Sequence, residues 1–281
     1  MSMKIKISAY STCDLPKEIA EEYNIGISPL YVVRDGVSCK DGVEITPDEI
    51  FEHFEKTGEL CTTAAVSYGD YLDTFGEYLK EYDAVIHFTI SSAMSSCWQN
   101  ASLVAAELGN IYVVDTENLS LGIGILAVVA SEMADHGKSV QEILDFVNCA
   151  KKHLDISFVV DTLEYLRKGG RCSALAAMGA NILKLHPCIE VTDGTMGVGK
   201  KYRGSIDKCV PAYLADRLAA AEFDSHVAWI VDSGVPDSVR EAAIEQVKAS
   251  GKFENVMSSR AGCTISSHCG TNTLGIMFLR K

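Results

Sequence analysis

Several features that mark membrane and nucleic-acid-binding proteins are missing from this 281-residue sequence. No apolar run approaches the roughly 20 residues that a membrane-spanning helix requires, and residues 1–5 lead into a predicted strand without the apolar region of a signal peptide. Positive charge is scarce, because 25 Lys and Arg against 38 Asp and Glu give a formal charge of −13. We therefore expect neither a membrane span nor a nucleic-acid partner.

Ten cysteines are present, yet none of them form a C-x-x-C pair. Without a secretory signal, this pattern indicates reduced thiols in the cytoplasm rather than a disulfide framework. Cys263, His268 and Cys269 lie close together in the sequence, but they lack the spacing of a structural zinc site. We therefore expect no metal.

A nucleotide site is also missing. The segment GTMGVGK at residues 194–200 fits the pattern G-x-x-x-x-G-K, but Lys201 stands where a phosphate loop needs Ser or Thr. The sequence after it reads as strand and turn instead of the required helix. We predict a β-hairpin around Asp193 and Gly194.

The first half of the chain alternates strand-like and helix-like segments, which predicts a parallel sheet with helices on both faces. Predicted strands cover residues 4–10, 25–33, 84–89 and 111–115. Helices are predicted between and after them, with Asp14 as the N-cap of the first and a capping box at residues 46–49 opening the second. Residues 61–67 are predicted to form a small-residue loop.

The second half carries consecutive strand-like runs without helices between them, which predicts a mixed or antiparallel sheet. The last three runs are residues 255–259, 263–267 and 274–279. We therefore predict an α/β protein of two domains, with a three-layer α/β/α parallel-sheet domain at 1–154. A two-layer α/β domain with a mixed sheet follows at 155–281.

Residues 162–173, TLEYLRKGGRCS, form the stretch that organises the chain. Gly169 or Gly170 can adopt the left-handed conformation that ends a helix, and Ser173 is a candidate cap for a further helix at 174–184. Arg171 then lies on a tight bend, where its guanidinium can act as a fixed fork for a carboxylate or phosphate. The alternative interpretation is an exposed turn arginine.

Hydroxyl side chains cluster where the predicted parallel strands end, the edge at which such sheets bind ligands. Helix capping explains some of them without any ligand. The hydroxyl residues at these strand ends are Ser11, Thr12, Ser91, Ser92, Ser95 and Thr116.

Five segments of the sequence resemble motifs of the DegV family, and they occur in the same order as in that family. STCDLP at 11–16 resembles S-T-x-D-L-P, and LEYLRKGGR at 163–171 is similar to L-x-Y-L-x-K-G-G-R. Residues 91–101 resemble S-S-x-L-S-G-T-Y-Q-x-A, residues 114–124 resemble D-T…S-x-G-x-G, and residues 268–275 resemble H-x-G-P-G-x-x-G. The resemblance spans nearly the whole chain.

This resemblance implies a DegV-like fold with a long-chain fatty acid bound between the two domains. It also implies a substrate-binding subunit of a bacterial fatty acid kinase, which has no cofactor and is not catalytic alone. A separate kinase subunit would use ATP to phosphorylate the bound carboxyl group to an acyl phosphate.

The resemblance assigns four residues to the fatty acid carboxylate. Thr63 and Ser95 would hydrogen-bond it, His268 would lie against it and Arg171 would support it electrostatically. A histidine and an arginine together favour the charged form of a carboxylic acid. The sequence departs from the family pattern beside these residues, at Ala64, Ala65, Ser96, Cys97, Thr271 and Asn272.

Other interpretations remain open. Ser95 and His268 with an acid would suit a hydrolase, although no G-x-S-x-G elbow is present. A site like that of dihydroxyacetone kinase, where a histidine binds the carbonyl of a small sugar, is a second alternative, and a purely structural role is a third. A fatty acid tail would need an apolar channel, for which the candidates, each equally compatible with ordinary core, are Leu121, Ile125, Leu126 and Val129.

Overall fold

A computed structural model describes residues 3–173, 185–220 and 223–281. The helix predicted at 174–184 lies outside the described residues. Elements are numbered below in chain order.

A parallel sheet forms from the first part of the chain. Its strand order is β2 (Gly26–Ser28), β1 (Ile5–Tyr10), β6 (Ala84–Thr89) and β7 (Ile111–Asp115). All three pairings are parallel. Every residue of β6 is buried, as expected for a central strand with helices on both faces.

Helices cover both faces of this sheet. They are α1 (Lys17–Glu22), α3 (Tyr68–Tyr78), α4 (Cys97–Leu108), α5 (Leu121–Asp135) and α6 (Val140–Ala150). Helix α4 packs against α3 and β7, whereas α5 packs against β1, β6 and α6. Because α5 is apolar on nearly all sides, it is buried between two layers of the protein.

A small antiparallel sheet was not predicted. It has the order β4 (Val37–Lys40), β3 (Tyr31–Arg34) and β5 (Thr62–Ala64). The strand predicted at 25–33 is therefore divided between two sheets, and β5 occupies part of the predicted loop at 61–67. Helix α2 (Pro47–Thr57) begins at the predicted capping box and ends at Gly58.

A mixed sheet of six strands forms from the second part. Its order is β10 (Thr195–Arg203), β9 (Leu185–Thr192), β8 (Leu154–Val159), β13 (Thr273–Arg280), β11 (Phe223–Ser233) and β12 (Asn255–Arg260). Only the β11–β12 pairing is parallel. β9 and β10 form the predicted hairpin, so residues 194–200 do not form a phosphate loop.

Helices α8 (Ile206–Ala220) and α9 (Asp237–Ala249) lie over the mixed sheet. Their buried side chains form one apolar cluster with one face of this sheet. The opposite face packs on α5. Side chains of both sheets, such as Ile7 and Trp229, belong to one continuous apolar cluster. The predicted mixed α/β fold with a parallel and a mixed sheet is thus confirmed, and the division at 154/155 stays a prediction.

Two local predictions were wrong. The strand predicted at 263–267 is a helix, α10 (Cys263–Cys269), which packs against α2 and α7 (Glu164–Gly169). Asp14 is not the N-cap of the first helix, because α1 starts after Pro16. Asp14 instead has a left-handed backbone with φ of 51°. Within the described residues, no helix is long and apolar enough to cross a membrane.

Candidate functional site

A cavity of about 280 Å³ lies where β5, the loop before α4, the turn after α7 and helix α10 meet. It is lined by both polar and apolar side chains. All four residues that the sequence assigns to the site line this cavity, together with Leu30, Ala64, Ala65, Ile90, Met94, Ser96, Leu119, Leu166, Met196, Thr264, Ile265 and Cys269.

Thr63 and His268 are joined directly, although 205 residues separate them in the sequence. Thr63 Oγ1 and His268 Nε2 lie 2.9 Å apart. Strand β5 presents Thr63 beside Val32 of β3, and α10 carries His268 in its last turn. The other ring nitrogen, Nδ1, is buried and has no hydrogen-bond partner among the described residues.

His268 is uncharged at neutral pH. Burial lowers its pKa to about 4, and the nearby charge of Arg171 contributes to the same shift. The expectation that a histidine and an arginine would both favour an anion by their charge is therefore only half right. Arg171 supplies the positive charge, and His268 takes part as a neutral hydrogen-bonding group.

Ser95 lies in the loop that leads into α4. Its Oγ donates to Cys97 Sγ at 3.2 Å and accepts from the Cys97 amide at 3.3 Å. Thiol sulfur is a weak acceptor, so the hydroxyl hydrogen can turn to a stronger acceptor in the cavity. The positive end of the α4 dipole beside it favours an anion.

The Arg171 side chain is held by two main-chain carbonyl groups. Its Nη1 donates to the Gly169 carbonyl at 2.7 Å and its Nε to the Met94 carbonyl at 3.4 Å. Both acceptors are neutral, so the guanidinium keeps its full charge for a ligand. Arg171 also lines an adjoining cavity of about 200 Å³ that contains Ser173 and Thr195.

Each of the two glycines before Arg171 has its own structural role. Gly170 has φ of 69°, which is the predicted left-handed helix end. Gly169 lies so close to His268 that a Cβ atom there would be 2.3 Å from Nδ1. One glycine ends the helix, and the other makes room for the imidazole ring.

The apolar side of the cavity continues along the mixed sheet. A narrow space of about 20 Å³ shares Leu119, Ile265 and Cys269 with the first cavity. It reaches Val231 and Met277, which lie two residues from Trp229 and Leu279 on the same strands. These last two residues line a third cavity of about 700 Å³.

Two of the four channel candidates lie at this third cavity. Ile125 and Val129 of α5 line it. Leu121 and Leu126 belong to the buried apolar cluster, as Ile125 does, and neither lines the cavities described above.

The geometry does not favour a hydrolase. A serine nucleophile needs its hydroxyl bonded to the histidine and an acid on the other ring nitrogen. Here His268 Nε2 contacts Thr63, Ser95 Oγ contacts Cys97, and His268 Nδ1 has no partner within the described part of the chain. No cluster of three metal-ligating side chains occurs among those residues either.

The substituted family positions lie in or beside the cavity. Ala64, Ala65 and Ser96 line it, and Cys97 holds Ser95. Asn272 has φ of 56° and donates from Nδ2 to Asp161. Four of the six substituted positions therefore line the cavity or contact a residue that does.

Sequence reasoning missed Asp14 and Asp41, whose carboxylates hold the start of α10. Gly262 donates its amide to Asp14, and Cys263 donates its amide to Asp41. Asp14 belongs to the motif at 11–16, which singles it out without indicating its role. Asp41 had no signal in the sequence.

The chain is thus an α/β protein with a cavity that is lined by both polar and apolar side chains. A family model described as "Uncharacterised protein, DegV family" matches residues 4–281. The chain therefore belongs to the DegV family.

Relatives with described ligands cover nearly the whole chain. A Thermotoga maritima protein named fatty acid-binding protein is 32% identical over 97% of this chain and 96% of its own length. A Thermus thermophilus DegV family protein, whose structure is described as fatty acid binding, has a TM-score of 0.93 and 32% identity over 99% of this chain and 100% of that one. The Bacillus subtilis DegV structure, also described as a fatty acid binding protein, has a TM-score of 0.85 and 28% identity, with both chains fully covered.

Proposed function

We propose that this protein binds a long-chain fatty acid and presents its carboxylate to a separate ATP-dependent kinase subunit, which converts it to an acyl phosphate. The observation that carries the proposal is that Thr63, Ser95, Arg171 and His268 line one cavity together with apolar side chains. An amphipathic molecule with an anionic head matches that distribution of polarity. The described ligands of the relatives support the same class of molecule.

The head group would be held by two hydroxyls and one cation. A neutral His268 with its proton on Nε2 donates to Thr63 Oγ1, which frees the threonine hydrogen for the carboxylate. Ser95 would turn its hydrogen from the Cys97 thiol to the second carboxylate oxygen. Arg171 would stabilise the ionised form by its charge.

The tail would extend away from these groups along the apolar face of the mixed sheet. The first cavity, at about 280 Å³, is at the small end of the usual range for ligand sites. A long tail therefore needs the path past Ile265 and Met277 towards the cavity beside Trp229. We propose that residues 1–154 and 155–281 act as two domains with the fatty acid between them.

The chain would act without its own nucleotide site or cofactor. Residues 194–200 lie in the β9–β10 hairpin and its turn, so the segment that fits a phosphate-loop pattern does not bind phosphate in that way. ATP would come with the kinase subunit. All ten cysteines are free thiols, which supports a cytoplasmic location.

The kinase step can be tested with the purified chain, a bacterial fatty acid kinase subunit, ATP and hydroxylamine. Hydroxylamine traps an acyl phosphate as a stable hydroxamate, so we expect long-chain hydroxamate only when both proteins are present. The chain with ATP alone should neither form hydroxamate nor hydrolyse ATP. ATP turnover by this chain, lost on substitution of one of its own residues, would contradict the proposal.

A further inference from the structure

The motif residue Asp14 is buried away from the head-group side chains and binds the helix that carries one of them. Its Oδ1 accepts the Gly262 amide at 2.8 Å, and its Oδ2 accepts the Ser120 hydroxyl at 2.5 Å. Gly262 is the residue directly before α10. A residue of the first strand end is thus bonded to the start of a helix about 250 residues later in the chain.

Asp41 binds the next two amides of the same helix. Its Oδ1 accepts the Cys263 amide at 2.8 Å, and its Oδ2 accepts the Thr264 amide at 3.0 Å. Ser11 Oγ donates to Asp41 at 3.0 Å and accepts the Leu30 amide at 3.1 Å. The carboxylate is therefore itself fixed by the small sheet and by the motif at 11–16.

Three consecutive amides, those of Gly262, Cys263 and Thr264, consequently end on two carboxylates from elsewhere in the fold. Helix α10 has no side-chain cap of its own, and the first amides of a helix need partners. A Cβ atom at Gly262 would lie 3.2 Å from Asp14 Oδ1 and 3.4 Å from Asp41 Oδ1, so a side chain there would require these carboxyl groups to shift by a few tenths of an ångström.

The same short helix supplies the wall of the head-group cavity. Thr264, Ile265 and His268 of α10 all line it. His268 follows Thr264 by four residues, about one helical turn, so a shift at the start of α10 moves the imidazole directly. The bond between Thr63 and His268 depends on that placement.

We propose that Asp14 and Asp41 are positioning residues that set the affinity for the ligand head group by fixing α10, and with it His268, against Thr63. This inference rests on the proposed fatty acid binding and adds to it a role for two residues that do not themselves line the head-group cavity. It also gives a structural role to the aspartate inside the motif at 11–16.

The test measures the dissociation constant of a fluorescent long-chain fatty acid, with palmitate as competitor, and the melting temperature of each variant. Asp14→Ala and Asp41→Ala should each weaken binding about tenfold, because each leaves at least one amide at the start of α10 without its partner. Asp14→Asn should restore most of the affinity, because its amide oxygen still accepts from Gly262 and its amide nitrogen can donate to Ser120.

Asp155→Ala is the matched control. Asp155 is also a buried carboxylate, but it pairs with Arg217 and Arg280 and has no bond to α10. Its removal should lower the melting temperature and leave the dissociation constant unchanged. Equal losses of affinity in Asp155→Ala and Asp14→Ala would reduce the effect to general destabilisation and overturn the proposal.

A double-mutant cycle with His268→Ala separates positioning from stability. If the carboxylates act through His268, Asp14→Ala should cause much less further loss in the His268→Ala background. If the double variant instead loses affinity by the product of the two single-variant factors, the proposal is overturned. The ring nitrogen NMR shifts of His268 in the lipid-free protein should also change in Asp14→Ala and stay unchanged in Asp155→Ala.

Milder variants decide the matter if either alanine variant does not fold. Ser120→Ala removes one donor to Asp14, and Ser11→Ala removes one donor to Asp41, so each should weaken binding by a smaller factor and shift the His268 signals. Wild-type affinity and unchanged shifts in both would overturn the inference. Absence of fatty acid binding in the wild type would instead refute the proposed function, and the NMR comparison would still test the positioning role.

Discussion

His268 is a neutral side chain at the place where the family resemblance expects a contact with an anion. Its low pKa follows from burial and from Arg171, and its Nε2 faces Thr63 rather than open solvent. In the proposed site, His268 would therefore contribute hydrogen-bond geometry. Arg171 would be the one of the four assigned residues that brings a charge to the head group.

Replacing His268 by alanine should weaken fatty acid binding and leave the fold intact. Loss of a hydrogen bond that supports a charged ligand costs about 1.5–3 kcal/mol, or roughly 10- to 150-fold in affinity. Retained lipid can be quantified by mass spectrometry after purification. His136→Ala, at an exposed position, is the control. Equal lipid content in the two folded variants would count against the role of His268.

Arg171 and Arg167 test whether position in the motif matters. Both residues are exposed, but Arg171 lines the cavity and Arg167 is not among its lining residues. Arg171→Ala should reduce lipid binding or kinase-coupled acyl phosphate formation about tenfold, and Arg167→Ala should do much less, because it removes an exposed charge that does not face the cavity. Arg171→Lys should also be impaired, since an ammonium lacks the planar fork. Equal effects of both alanine changes, or a fully active lysine variant, would exclude this role.

At the scale of elements, the sequence predicts those whose signals are local. The capping box at Thr46 and Glu49 and the left-handed glycine after α7 are both found where they were predicted. Helix α10 was predicted as a strand, because its short run of small and β-branched residues has no local cap. Its start is fixed by contacts with Asp14 and Asp41, which lie more than 200 residues earlier in the sequence. No local pattern encodes such contacts.

The same difference between local signals and long-range packing applies to the candidate site. Four residues could be assigned from motifs, and the structure places all four around one cavity. The extent of the apolar path could not be predicted, because α5 is apolar on nearly every side and its sequence does not distinguish Ile125 from Leu126. Only the packing of α5 between two sheets makes that distinction.

The two glycines after α7 provide a matched pair of variants. Gly169→Ala should displace His268, because a Cβ would lie 2.3 Å from Nδ1, and fatty acid binding should fall sharply. Gly170→Ala meets no atom within 4 Å but strains a residue at φ of 69°, so it should cost about 1–2 kcal/mol of stability and leave binding intact. Thermal melts and fatty acid titrations of both proteins check this. Equal binding by both variants would contradict the proposed contact.

At the scale of the whole molecule, a continuous apolar cluster joins the two sheets through α5. The cavities follow the same boundary between the parallel and the mixed sheet. A fatty acid in the proposed tail path would add apolar contacts to both halves of the chain, so its binding would also stabilise their packing.

Two buried histidines should make the folded protein sensitive to acid. Burial lowers the pKa of His87 to about 3 and that of His268 to about 4, from 6.5 in each case. The unfolded chain thus binds protons near pH 6.5 that the folded chain excludes, so their contribution to stability is lost as pH falls from about 6.5 towards 4. Asp14, whose pKa burial raises to about 8, opposes this trend.

The histidine contribution can be isolated as a difference in slope. The free energy of unfolding should rise with pH between 5 and 6.5, and His268→Gln should reduce that slope by about 1.4 kcal/mol per pH unit, the value for one proton. Denaturant titrations of wild type and variant across this range provide the slopes. Parallel pH dependence in the two proteins would show that His268 is not held neutral by the fold.

The central claim is that the cavity holds a long-chain fatty acid, and mass spectrometry of lipid released from the denatured protein tests it most directly. Protein purified from bacteria under native conditions should release one class of molecule, a long-chain fatty acid, in an amount close to that of the protein. His268→Ala purified in parallel should release much less. A wild-type protein that carries no fatty acid, and takes none up from solution after delipidation, would contradict the account.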